Sequence, residues 1–258
     1  PANANFTDDA VTQTQCLIGL AEAHFQESAV YWCRGLIPLK EIQENMAQYA
    51  PTDDLHVLES PLSTVPVHVS GTIYGDASGG QFSNHNDLRR VGVGLGQIDA
   101  QGNMLWAISF NLPGSVQTVP RGELFAIVRA AILAPEKATV DFVTDNHGNF
   151  TKFIAGRDAA LQTNNGDLFK VLFDEIRIKE LNFTVRWMPS HLDITDLHWL
   201  PADITALDIK GNEVADIQAG KAADNHVVNL NASSHYLWYI NQVSRIQKRL
   251  VHIMCSLE

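Results

Sequence analysis

Four carboxylate side chains occupy positions where proteins seldom place them for stability alone. Asp76 ends a predicted strand in Tyr-Gly-Asp-Ala-Ser, and Asp145 ends another in Val-Thr-Asp-Asn, at the strand ends where α/β proteins usually build sites. Glu123 and Asp216 lie on predicted helix faces that are otherwise apolar, and neither has an obvious basic partner. Moving a carboxylate out of water costs several kcal/mol unless a counter-charge meets it, so these positions point to chemistry.

If these carboxylates converge, their mutual repulsion has to be relieved in one of two ways. Either their pKa values rise, or hard divalent cations bind between them. Sites made only of oxygen ligands suit Mg²⁺ or Mn²⁺ and disfavour Zn²⁺. The residue types leave both outcomes open.

The elements that must position these side chains read as a mixed α/β sheet. Alternation of apolar residues over 67–76 predicts the first strand, and the next two strands follow closely enough for an antiparallel meander. A helix over 121–134 ends at Pro135, and Asn212 is predicted to cap the last helix, which runs to about residue 223. The order indicates an α/β fold with a five-stranded mixed sheet, a three-strand antiparallel meander plus parallel strands, flanked by helices. The other predicted strands are 91–98, 104–112, 139–144 and 182–188, and the other predicted helices are 147–156 and 165–180.

Composition divides the chain into three predicted parts. Residues 1–66 read as a helical N-terminal extension that ends in a proline-interrupted linker, residues 67–225 as the catalytic domain, and residues 226–258 as a C-terminal amphipathic helix. Net charge is −7 over 1–67, −6 over 68–225 and +2 over 226–258. The terminal helix either docks on its own domain or a neighbour, or offers a basic surface to nucleic acid or a partner.

Length and composition exclude several classes of protein. A chain of 258 residues that is 45% apolar fits one or two compact domains, although its net charge is −11. Its three cysteines are far apart and odd in number, which argues against a disulfide framework and favours an intracellular location, nuclear or cytoplasmic. No apolar run approaches the ~20 residues that span a bilayer, so we expect no membrane association. From the start at Pro1 rather than Met and the Leu257-Glu258 end, we expect the chain to be a piece excised from a longer polypeptide.

Five motifs follow one another at the predicted elements between about residues 67 and 223. They are Asp76-Ala-Ser78, the segment QTVPRGELFA over 117–126, Thr144-Asp-Asn146, the segment WMPSH over 187–191, and GNEVAD over 211–216. In this order they resemble the ribonuclease H domains, particularly those of retroelement reverse transcriptases.

The resemblance implies a ribonuclease-H-like fold and an endonuclease that cuts the RNA strand of an RNA/DNA hybrid, leaving 5′-phosphate and 3′-hydroxyl ends. Two Mg²⁺ ions, with Mn²⁺ as a substitute, would be held by four catalytic carboxylates, and Asp76 is expected to bridge both ions. His191 would assist proton movement or product release. The carboxylates of this set are Asp76, Glu123, Asp145 and Asp216, and the candidates for contacts to the substrate backbone or sugar are Ser78, Gln117 and Asn146.

Two hypotheses about function follow. The first is a metal-dependent ribonuclease H that is part of a reverse transcriptase or derived from one. The second is a catalytically silent ribonuclease-H-like module that acts in assembly or partner binding through its terminal helices and the long 192–211 loop. A charge of −6 is unusual for a domain that binds nucleic acid, so we expect a linked or associated polymerase domain to supply part of the affinity for nucleic acid. Val119 and Pro120 depart from the family's usual polar residues before the helix glutamate.

Overall fold

A computed structural model describes residues 69–190, 192 and 203–257, together with the backbone of residues 56–59. The strands are β1 (His56–Glu59), β2 (Gly71–Ser78), β3 (Gly92–Ile98), β4 (Met104–Asn111), β5 (Thr139–Thr144) and β6 (Asn182–Trp187). The helices are α1 (Val119–Leu133), α2 (His147–Ile154), α3 (Arg157–Leu161), α4 (Gly166–Ile178), α5 (Ala206–Asn225) and α6 (Leu230–Leu257).

The described strands form one six-stranded sheet in the order β1-β4-β3-β2-β5-β6. Strands β2, β3 and β4 make an antiparallel meander, and β5 and β6 add to β2 in parallel. This confirms the predicted mixed sheet of five strands. The sixth strand, β1, pairs antiparallel with β4 and lies in a segment that we predicted to be helix and linker. Four residues are too few to show a strand period, so that prediction was wrong for β1.

Along β3, residues with bulky side chains alternate with glycines, so the two faces of the sheet differ at this strand. Its bulky residues pack in the main core together with α1. On the other face α5 lies directly against glycine, because a Cβ on Gly94 would stand 2.0 Å from the carbonyl oxygen of Ala215. The bulky residues are Val93 and Leu95, with Val91 directly before the strand, and the glycines that meet α5 are Gly92, Gly94 and Gly96.

The ends of the helices explain where the sequence pattern missed a boundary. Helix α5 begins at Ala206, because Thr205 and Asp208 form a reciprocal capping box that satisfies its first-turn N–H groups. Asn212 therefore lies inside the helix, and the prediction that it caps the helix was wrong. The predicted helix over 147–156 is α2 followed by the short α3.

Helix α6 spans the segment in which the spacing of apolar residues predicted an amphipathic helix. By its contacts it belongs to a different compact unit from residues 49–228. Ser233, Tyr236 and Val243 of α6 are buried, whereas Trp238 and Leu250 are exposed. None of the helices described is long and apolar enough to cross a bilayer.

Candidate active site

Two of the predicted carboxylates stand side by side because their strands are parallel neighbours. The register pairs Tyr74 of β2 with Val143 of β5, and Asp76 and Asp145 each lie two positions further along the chain. Because adjacent strands lie about 4.8 Å apart, the two side chains come close together at this edge of the sheet.

Helix α1 delivers the third carboxylate from above the sheet. The helix starts very close to β2 and β3, since a Cβ on Gly122 would meet the side chains of Val91 at 2.5 Å and Ala77 at 2.8 Å. The next residue, Glu123, is thereby brought down to the strand ends. One ligand oxygen from each of Asp76, Glu123 and Asp145 lies within 4.8 Å of the others. We call these three residues the acidic cluster.

Burial and repulsion raise the pKa of two members of the acidic cluster. The pKa of Asp76 rises to about 7, mainly because the side chain is buried and then because of the charges of Asp145 and Asp216, against a hydrogen bond from the Ala77 N–H. The pKa of Glu123 rises to about 8 through burial, then through Asp145 and Asp76, against a hydrogen bond from the Asn146 side chain. Both carboxyl groups therefore hold protons near neutral pH unless a cation replaces those protons.

The acidic cluster fits a hard divalent cation. The Oε2 atom of Glu123 is buried and has no hydrogen-bond partner among the described residues, which leaves an acceptor without a donor. The nearest cation in sequence, Arg121, pairs with Asp167 and also donates to Asn165. The donors are all carboxylate oxygens, the set that Mg²⁺ and Mn²⁺ prefer.

Asp216 lies at the margin of this site. Its side chain on α5 is exposed and falls outside the group whose oxygens lie within 4.8 Å of one another. Its charge nevertheless reaches Asp76, whose pKa it helps to raise. The structure therefore brings together three of the four predicted carboxylates, and the metal-binding role of Asp216 stays a prediction.

No family model and no curated protein matches the chain. Solved structures do. The ribonuclease H domain of prototype foamy virus is 16% identical, with 60% of this chain and 95% of that chain covered and a TM-score of 0.44. Ribonuclease H1 of Halobacterium salinarum is 17% identical, with 60% and 97% covered and a TM-score of 0.39. The protease-reverse transcriptase of prototype foamy virus is 18% identical over 66% of this chain but only 23% of its own length, with a TM-score of 0.43.

Counted from β2, the strands run in the order 3-2-1-4-5, with α1 and α5 on opposite faces. The fold is ribonuclease-H-like. The acidic cluster occupies the carboxyl ends of its two central parallel strands, which is the usual place for a site in an α/β sheet.

The other predicted site residues have different surroundings in this ribonuclease-H-like domain. Gln117 is buried, accepts from the Val91 N–H at 2.8 Å and donates both amide hydrogens to carbonyls of the 112–114 turn, so its contacts are structural and count against a substrate role. Ser78 accepts a hydrogen bond from the Gly80 N–H. Asn146 caps α2 and reaches Glu123. His191 lies outside the described residues.

Two residues that hold the segments around the acidic cluster escaped the sequence analysis. Trp187 donates its indole N–H to the main-chain carbonyl of Asp145 at 3.0 Å. Asn149, which is only 1% exposed, donates its amide to the main-chain carbonyl of Pro120 at 2.8 Å. The available signals were an aromatic residue at the end of the last strand and a polar residue one helical turn before Phe153 on the inner face of α2.

Proposed function

We propose that this chain is a metal-dependent endonuclease that hydrolyses the RNA strand of RNA/DNA hybrids, leaving 5′-phosphate and 3′-hydroxyl ends. We further propose that it is the ribonuclease H domain of a retroelement reverse transcriptase or a derivative of one. The single observation that supports an enzyme best is the acidic cluster, whose oxygens lie within 4.8 Å of one another and include the unpartnered Oε2 of Glu123. A protein kept only as a scaffold gains nothing from burying mutually repelling carboxylates.

In this proposal the acidic cluster and Asp216 would hold two Mg²⁺ ions, for which Mn²⁺ could substitute. Asp76 would serve as a ligand to both ions, Glu123 and Asp145 to one of them and Asp216 to the other. Such ions would neutralise the phosphate, make water nucleophilic near neutral pH and stabilise the leaving oxygen. Asp76 and Glu123 must release their protons to act as ligands, so metal affinity increases with pH.

Substrate selection depends on the shape and sugars of the hybrid, because a nuclease that cuts any sequence cannot read bases. Asn146 is the candidate best placed to meet the sugar-phosphate backbone, since it lies between Asp145 and the start of α2 and its amide lowers the pKa of Glu123. Ser78 remains a second candidate at the end of β2. His191 is proposed to move protons or to assist product release.

A linked or associated polymerase domain is part of the proposal. The domain carries a net charge of −6 over residues 68–225, and four added positive charges from two metal ions still leave it negative. Its own attraction for a polyanion is therefore weak. A tether to a nucleic-acid-binding neighbour supplies the missing affinity through effective concentration. An intracellular location, nuclear or cytoplasmic, stays a prediction.

The decisive experiment incubates end-labelled RNA/DNA hybrid with the chain in Mg²⁺ or in EDTA, with RNA/RNA and DNA/DNA duplexes of the same sequence as controls. The expected result is cutting of the RNA strand of the hybrid that stops in EDTA and in the Asp76→Asn variant. If a well-folded chain cuts nothing in Mg²⁺ or Mn²⁺, the nuclease proposal fails and the silent assembly module becomes the better account.

A further inference from the structure

We propose that Asn149 is a positioning residue that sets the separation between the Glu123 and Asp145 carboxylates by tying helix α2 to the first turn of helix α1. This inference rests on the proposed function, because it concerns the metal site that the acidic cluster is proposed to form. Residue 149 lies outside the five motifs that resemble ribonuclease H domains.

The need for such a tie follows from the origin of the two carboxylates. Asp145 leaves the end of β5 and leads into α2, whereas Glu123 belongs to α1. Their charges repel, and the charge of Asp145 helps to raise the pKa of Glu123. Without a cation, repulsion favours any movement that parts α1 from the start of α2. Some uncharged contact between the two helices has to oppose it.

Asn149 makes that contact through both its side chain and its main chain. Its side-chain Nδ2 donates to the main-chain carbonyl of Pro120, three residues before Glu123. Its main-chain N–H donates to Oδ1 of Asn146 at 2.8 Å, and the Asn146 amide lowers the pKa of Glu123. Asn149 therefore links Asn146, the residue that follows Asp145, to the first turn of α1.

The burial of Asn149 and the fixed position of its acceptor make the contact with Pro120 a rigid one. The residue is 1% exposed, and a buried amide that lost its partner would pay the full cost of desolvation. Pro120 has no N–H of its own and its carbonyl is fixed by the first turn of the helix, so the acceptor cannot swing away. The bond therefore fixes the position of α2 relative to the turn of α1 that carries Glu123.

A matched control exists at the other end of the same helix. Lys179 donates to the carbonyls of Ala131 and Ala134 at 3.2 Å and so ties the C-terminal end of α1 to the end of α4. Both Asn149 and Lys179 bond to main-chain carbonyls of the α1 region, but only Asn149 does so next to Glu123. Lys179→Met should destabilise the protein without touching the acidic cluster.

The test measures Mn²⁺ binding to the full chain by electron paramagnetic resonance of free Mn²⁺, which needs no cleavage. Asn149→Leu is expected to weaken Mn²⁺ binding by about tenfold, the size usual for a residue that orients metal ligands. Asn149→Ser, a milder change, should weaken it less and serves if the leucine variant does not fold. Lys179→Met should bind Mn²⁺ within about twofold of the original chain.

The outcomes separate this inference from the proposed function. If the unmodified chain binds no Mn²⁺, the metal site itself is wrong, and with it the proposed nuclease. If the chain binds Mn²⁺ but the folded Asn149 variants bind it equally well, only the positioning role is overturned. A loss of affinity in Lys179→Met equal to that in Asn149→Leu would also overturn it, since general destabilisation would then explain both.

Discussion

Asp76 on β2 and Asp145, the residue that follows β5, each lie two positions beyond the paired residues Tyr74 and Val143, and their carboxylates meet at one edge of the sheet. The register of the strands enforces this proximity and keeps it in the absence of any cation. A pair of like charges held in this way is a cost to folding that becomes useful only when a cation binds.

Removing one of these charges should abolish activity and spare the fold. Asp145→Asn is expected to stop hybrid cleavage, while the melting temperature without Mg²⁺ stays unchanged or rises by a few degrees, equivalent to ~1 kcal/mol. The reason is that the variant deletes a ligand and relieves repulsion in one step. Thermal unfolding in EDTA and a cleavage assay in Mg²⁺ check the two halves. A clear fall in melting temperature would identify Asp145 as a structural residue instead.

The metal-free protein should lose stability as pH rises. The pKa values of Asp76 and Glu123 lie at about 7 and about 8 when folded and near 4 when unfolded, so between those limits the folded state binds more protons. Stability from this source is fully present below about pH 4 and is lost as pH rises through about 8. Urea unfolding in EDTA at pH 5 and pH 8.5 measures it. The double variant Asp76→Asn, Glu123→Gln should flatten the dependence, and an equally steep profile in that variant would contradict this origin.

The contact between β3 and α5 should tolerate no side chain. Gly94→Ala is expected to cost about 2–4 kcal/mol of unfolding free energy, because the added Cβ would meet main-chain atoms of Ala215 and Ala219 that cannot rotate away. The control is Gly220→Ala on α5, where an added Cβ meets no described atom within 4 Å and should stabilise by about 0.5–1 kcal/mol. Urea unfolding distinguishes the two. Near-neutral behaviour of Gly94→Ala would mean that α5 stands further from the sheet.

Arg186 should be among the most sensitive charged residues outside the acidic cluster. It donates to Asp141 at 2.8 Å and to the buried Asp208 at 3.1 Å, and Asp208 also accepts from the Tyr74 hydroxyl. Arg186→Met would leave a buried carboxylate without its counter-charge and is expected to cost about 2–4 kcal/mol.

Lys170→Met is the matched control for Arg186→Met. It breaks an exposed pair with Asp174 on α4 and should cost less than about 0.5 kcal/mol. Unfolding curves of both variants in EDTA provide the comparison. Equal effects from the two substitutions would show that the Asp208 carboxylate is solvated well enough to need no counter-charge from Arg186.

The sequence by itself determined strands β2 to β6, their order of direction and three of the site residues. Period-2 alternation and turn residues are local signals, and they located β2 to β6 and the antiparallel meander. The place of Asp76 and Asp145 follows once both strands are known to be parallel, since parallel strands end at the same edge. Glu123 was predictable because a carboxylate interrupts an otherwise apolar helix face.

Only the tertiary structure decided which polar residues serve the acidic cluster and which serve the fold. Gln117 lies close to Glu123 in sequence, but its side-chain amide bonds to main-chain groups. Asn149 and Trp187 instead bond to the segments that carry Glu123 and Asp145. Asp216 falls outside the 4.8 Å group because the packing of α5 on the glycines of β3 sets how far its side chain stands from Asp76. Such distances depend on contacts between elements far apart in the chain, and no local pattern of residues encodes them.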